Sequence, residues 1–215
     1  MQANSGETRV MNILVFDTCL DKMYVTLAKD EKILSSEIVT NKDNKYHSAF
    51  LISTIKSVLK ENQLTPKDLD AIGTNIGPGS FTGIRACTTV ARMMAQQLNI
   101  PAVGISSLEI LSKIAPENKK PLVALDARKS CAYLYVDTTI KGAVKLEEVE
   151  QIIKGGEYFV ITDDKLNEKL GGISYQQETY NLGEILANLA YKKLKTQECK
   201  WQELKPLYIQ PPPVY

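Results

Sequence analysis

The sequence predicts an α/β protein built as two lobes. Two short apolar runs, at 12–17 and 121–126, each end in an aspartate, Asp17 and Asp126. Each is followed by an alternating, β-rich partner, at 22–28 and at 130–136. Runs with helical apolar spacing, at 46–61, 83–98 and 181–195, stand between and after these strands. Alternation marks strands and a 3.6-residue period marks helices, so the order reads as β-elements and helices interleaved twice.

In the first half, 12–17, 22–28 and 32–40 form three antiparallel strands joined by hairpins, with Asp30 and Glu31 as a short turn. Thr65-Pro66-Lys67-Asp68 carries a cap, an early proline and an acid, the signature of a single helical turn. The run 71–76 is a buried strand leading into a glycine-rich turn, and 101–105 is the next strand. Ser106 with Glu109 three positions on is a capping box for a further helix. In the second half, 157–162 is a third strand, Asp163-Asp164 caps a short run at 165–170, and Asn181 with Glu184 starts the last helix. The tail from Pro206 is too proline-rich for a helix and runs extended on the surface or docks onto a lobe. Residues 1–10 read as a polar leader, 11–105 as the first lobe and 106–215 as a reduced second lobe with the C-terminal helix and tail.

A net charge of +1 from 26 basic and 25 acidic residues, with 7% aromatics, gives no polyanion signature and argues against a stand-alone nucleic-acid-binding module. No apolar stretch reaches the roughly 18 residues of a membrane span. The four cysteines lack metal-clip spacing, so no metal is expected, and they read as free thiols of a cytoplasmic protein. His47 is the single histidine, which rules out a two-histidine metal site within one chain. No catalytic residue is assigned.

Two features carry functional content. The first is Gly77-Pro78-Gly79-Ser80-Phe81-Thr82-Gly83-Ile84-Arg85, lying between a strand and a helix. Such a loop turns backbone N–H groups toward an anion or another chain, or simply makes a tight turn, and Ser80 or Thr82 supplies the helix cap. It is not a Walker motif, since Ile84-Arg85 stands where Lys-Ser/Thr would. Asp17 and Asp126 either hold a vestigial nucleotide site or cap their own turns; no glycine follows either one. The second feature is surplus apolar surface on two helices. Phe50, Leu51, Ile55 and Val58 lie on one, and Ile84, Cys87, Val90, Ala91 and Met94 on the other. A helix on a sheet needs one apolar stripe, so the excess is covered by this chain or by a partner.

The nine-residue glycine string resembles the signature of the TsaB (YeaZ) family, the bacterial tRNA threonylcarbamoyladenosine biosynthesis proteins. The opening strand to Thr18, the position of His47, Val103–Leu108, Leu125-Asp126-Ala127-Arg128 with Tyr133, and Pro206-Leu207-Tyr208 agree in order. The resemblance implies an actin/Hsp70-like (ribonuclease H-like) two-lobed fold. It implies a non-catalytic scaffold, a relative of the catalytic subunit TsaD, whose second metal histidine is replaced here by Leu51. It implies docking on TsaD through the two first-lobe helices, with the ATPase TsaE in the assembly and self-association through the same surface when free. It implies contact with tRNA only through the complex, no tightly bound cofactor, and ATP or ADP only at the complex interface. The alternative is a stand-alone nucleotide-dependent enzyme or glycoprotease-like peptidase of the same fold.

Overall fold

The computed structural model describes residues 10–40, 47–177 and 180–209. Most of the leader and the end of the tail lie outside them. Five strands form the first sheet: β1 (Asn12–Asp17), β2 (Met23–Lys29), β3 (Lys32–Val39), β4 (Ala71–Asn75) and β5 (Ala102–Ile105), in the order β3-β2-β1-β4-β5. β1–β2 and β2–β3 are antiparallel, while β1–β4 and β4–β5 are parallel. The second sheet holds β6 (Lys120–Asp126), β7 (Cys131–Val136), β8 (Thr139–Lys145), β9 (Tyr158–Thr162) and β10 (Ile173–Ser174). Its order is β10-β9-β6-β7-β8, the same pattern read from the other end, with the same parallel and antiparallel pairs. The expectation of duplicated lobes, drawn from the two Asp-ending strands, is met by this topology, which is that of the actin-like, ribonuclease H-like class.

Side-chain alternation assigns the layers. Leu14 and Phe16 on β1 face one side, where α1 (Leu51–Glu61) and α2 (Phe81–Leu98) pack. Ile13 and Val15 face the other side, toward α6 (Leu182–Thr196) and, beyond it, α3 (Ser107–Ser112). Leu122 and Ala124 of β6 face α4 (Leu146–Lys154) and α5 (Asp164–Leu170), while Val123 and Leu125 join the central core. The layers therefore run helices, sheet, helices, sheet, helices. α6 follows the second sheet in sequence yet packs on the first, contacting all five of its strands. A Cβ at Gly73 would meet Val15 and Ala190 at 2.8 and 2.9 Å, so glycine there lets α6 sit close on the sheet. Each fully buried Leu or Ile in this core contributes roughly 1.5–3 kcal/mol of transfer free energy.

The expected helix at 46–61 is a 3-10 turn, His47–Phe50, followed by α1. α2 starts two residues earlier than the periodicity indicates, because the cap is Ser80. Among the described residues, β8, α4 and β10 have no counterpart in the sequence reading. β8 is largely exposed, and β10 is only two residues long.

Candidate functional site

The glycine loop is built by close approach. Gly77 has φ +98°, in the left-handed region that glycine tolerates. A Cβ at Gly83 would drive into the carbonyl oxygen of Thr18, and one at Gly79 into that of Cys19. The turn after β1 and the start of α2 thus lie against each other with no room for a side chain between. Ser80 N–H donates to the Cys19 carbonyl at 2.8 Å, and Ser80 Oγ accepts from Gly83 N–H at 3.2 Å. Of the two candidate caps, Ser80 is therefore the N-cap of α2 and Thr82 stands exposed in its first turn. Arg85 is exposed, with its guanidinium 5.4 Å from the Phe81 ring centroid.

Beneath the loop lies a buried polar network that the sequence does not announce. Asp17 Oδ1 accepts from Cys19 N–H at 2.6 Å, and its Oδ2 accepts from Asn75 Nδ2 at 2.9 Å. Asn75 Oδ1 in turn accepts from Gly77 N–H at 2.8 Å and Ser107 Oγ at 2.9 Å. Beside it, Cys87 Sγ accepts from Thr18 N–H at 3.0 Å, and Thr18 Oγ1 donates to the Gly83 carbonyl at 2.8 Å. Asp17, Cys19 and Cys87 bring potential metal-ligating atoms within 4.8 Å of one another, all buried. Those atoms already carry the hydrogen bonds that buried polar groups require, so the cluster reads as packing under the loop. Burial first, and then the Cys87 neighbour, push the Cys19 thiol well above its ordinary value.

Asp17 and Asp126 behave alike, and each caps its own turn. Asp126 Oδ1 accepts from Arg128 N–H at 2.8 Å, and Lys165 Nζ lies 3.1 Å from Oδ2. Burial raises the Asp126 pKa, but the Arg128 N–H and the Lys165 ammonium outweigh it and hold the carboxyl below its usual range. Asp163 is the cap of α5 and also accepts from Asp126 N–H at 2.6 Å. The two aspartates do not meet as a site. Asp126 lines a cleft of about 970 Å³ between the lobes, while Asp17 lies behind Cys19, outside its lining.

One wall of that cleft is the glycine loop with Phe81, and the other is the β6–β7 turn with Arg128. The tail crosses its mouth. Leu204 is buried in the first-lobe core and Leu207 N–H donates to the Ile76 carbonyl at 2.9 Å. Tyr208 lies 5.9 Å from Phe81, centroid to centroid, and Ile209 lines the cleft. Of the two placements open to the tail, docking is the one found for its described part.

The two helices require a correction. Leu51, Ile55, Val58, Ile84, Cys87 and Ala91 are at most 4% exposed and belong to the core between α1, α2 and the first sheet. They are covered by this chain and present nothing to a partner. Phe50, Val90 and Met94 are half-buried. The exposed apolar residues of these helices are Ile52 at 48%, Phe81 at 46% and Met93 at 60%. Ile52 and Met93 belong to the apolar content of these helices in the sequence but not to the interface set read from it, because apolar content alone does not tell which side of a helix faces the sheet. The side chain of His47 lies outside the described residues.

A family model described as TsaD: tRNA N6-adenosine threonylcarbamoyltransferase matches residues 32–202. The tRNA threonylcarbamoyladenosine biosynthesis protein TsaB of Buchnera aphidicola subsp. Schizaphis graminum is 31% identical over 155 residues, 66% of this chain and 72% of the relative. The protein of the same name from Bacillus subtilis is 34% identical over 102 residues, 47% of this chain and 44% of its own length. A crystal structure from Pseudomonas aeruginosa, of an uncharacterized protein with similarity to peptidase YEAZ, superposes with TM-score 0.72 at 19% identity, covering 93% of this chain and all of that one. A second, YeaZ from the same organism, gives 0.69 at 19% identity over 92% of this chain and 99% of that chain. At such identity the two structures speak for the fold.

Proposed function

This chain belongs to the TsaB (YeaZ) family of tRNA threonylcarbamoyladenosine biosynthesis proteins, and from that premise we propose that it serves the modification as a non-catalytic binding subunit. Its partner is the catalytic protein TsaD, with the ATPase TsaE joining the assembly, and tRNA is reached only through the complex. The site of action is the cytoplasm; no described helix is long and apolar enough to cross a membrane. The chain holds no cofactor tightly, and ATP or ADP enters only where the subunits meet.

The observation that carries this reading is the outward apolar surface of α1 and α2. Ile52 and Met93 are large, about half exposed or more, and stand on helices that lie side by side on one face of the first sheet. Half-buried Phe50, Val90 and Met94 border them. A single histidine in the whole chain supports the non-catalytic part, since a Ser-His-Asp or two-histidine metal mechanism would have to be assembled around it alone.

The docking test pairs an outward with an inward position. A Met93→Glu, Ile52→Glu double variant keeps its fold, because both side chains already meet water, and loses co-purification with TsaD, because a charge buried unpaired in an interface costs roughly 2–5 kcal/mol. Retention of the complex at wild-type affinity would refute docking through this face. Ala91→Glu is the contrasting variant. It strikes the core and unfolds the protein, so its loss of binding carries no information about the interface.

A further inference from the structure

The tail is fastened to both lobes. Its root lies in the first, where Leu204 is buried in the core of α1, α2 and the first sheet, with Trp201 packed against the same core. A Cβ at Gly104 would stand 2.9 Å from Leu204 Cδ1, so the missing side chain on β5 makes the seat. Arg92 Nη1 donates to the Leu204 carbonyl at 3.3 Å, and Leu207 N–H to the Ile76 carbonyl at 2.9 Å. Two residues on, the chain has reached the second lobe. A Cβ at Gly142 of β8 would stand 3.7 Å from Ile209 Cγ2, an ordinary contact, so Ile209 rests there on bare backbone. The two ends are held unequally. Leu204 is enclosed and Ile209 is half-buried. Tyr208, beside Ile209, is 47% exposed, and the Phe81 ring it meets is itself 46% exposed.

We propose that residues 204–209 are a latch across the inter-lobe cleft, with Leu204 as its permanent anchor and Tyr208 and Ile209 as its releasable end. The lobes already share one core, where Ile13 and Val15 of the first sheet and Val123 and Leu125 of the second join α3 and α6. One tie leaves two bodies free to rock about it, and a second tie at a separate place removes that freedom. The tail supplies the second tie, at the mouth of the cleft of about 970 Å³. Pro206 stiffens the stretch between root and end, so fewer conformations are lost when the end closes. A segment with few buried apolar contacts opens locally at a cost well below that of unfolding. The Ile209 end therefore lifts while Leu204 stays seated, and the cleft has an open state besides the closed one described above. The inference rests on the fold and not on the docking reading.

The test is double electron–electron resonance on the full, free chain, with spin labels on Lys67→Cys in the first lobe and Lys169→Cys in the second. Both positions are exposed and lie off the tail. Cys131→Ser and Cys199→Ser remove the half-exposed thiols, and dilution with unlabelled chain leaves only distances within one molecule. The wild-type tail is expected to give one narrow distance distribution. Ile209→Asp sets a charge against the Gly142 contact, and Tyr208→Ala removes the ring beside Phe81. Each is expected to broaden the distribution about twofold or more, with urea unfolding still cooperative. Ile209→Leu keeps the apolar contact and is expected to match the wild type. Distributions for Ile209→Asp and Tyr208→Ala that superpose on the wild type would overturn the latch. A wild-type distribution as broad as that of the variants would do the same, since the tail would then tie nothing. Loss of the fold in either variant would also overturn it, by making the end of the tail part of the core rather than a releasable end.

Discussion

At the residue scale, Asp17 and Cys19 do structural work that their types alone leave ambiguous. Asp17 at the end of a strand is equally the residue a metal or phosphate would need and the residue a tight turn needs. Its two oxygens are taken by Cys19 N–H and the Asn75 amide, which decides for the turn. Its partner Asn75, and the Ser107 and Cys87 that bond Asn75 and Thr18 in turn, were not legible, because they lie 58, 90 and 70 positions away from Asp17 and no short motif links them. The thiols give a test. Cys131 and Cys199 are half-exposed, while Cys19 and Cys87 are buried. At pH 8 a disulfide reagent is expected to modify two thiols quickly and the other two only after unfolding; four fast thiols would contradict the buried network. The raised Cys19 pKa also fixes a sign. The unfolded thiol titrates near 9.0 and the folded one above it, so this stabilisation is complete below pH 9 and is lost as pH rises through the folded value. Urea unfolding between pH 8 and pH 10 is expected to show that decline, and Cys19→Ala is expected to flatten it.

At the element scale, helix starts were the most legible features and burial was the least. Ser80, Ser106, Asp163 and Asn181 are caps in the structure, as their short side chains ahead of apolar runs indicate. The surplus on α1 and α2 proved smaller than their composition implies. Small residues such as Ala91 and Ala95 bring α2 close to the sheet, so a wider arc of the helix is covered than one stripe. Largely exposed β8 has only Ile140, Ala143 and Val144 as apolar residues, with Gly142 between them, too weak an alternation to mark a strand. The loop feeding α2 is held by two separable devices. Ser80→Ala removes a cap and is expected to lower the unfolding free energy by about 0.5–2 kcal/mol. Gly83→Ala forces a methyl group into the Thr18 carbonyl and is expected to cost at least twice as much, read by urea denaturation. Equal costs for the two would mean that the close approach at Gly83 relaxes freely.

At the scale of the whole molecule, the repeated sheet order was readable from two aspartate-ended strands, but the return of α6 to the first sheet was not. A connection that crosses from one lobe to the other leaves no mark on local periodicity. The consequence for function is a first lobe braced on one face by α6 and open to solvent on the other through the outer sides of α1 and α2. A reading in which the chemistry belongs to another subunit asks only that this open face be held rigid. The most direct measurement is reconstitution of threonylcarbamoyladenosine on tRNA, quantified by mass spectrometry of the nucleosides, from purified TsaD, TsaE and this chain. Modification is expected with the wild type, to fall to the level seen without it when Met93→Glu, Ile52→Glu replaces it, and to be nil for this chain alone. Modified adenosine formed by the isolated chain, or full activity with the double variant, would contradict the account.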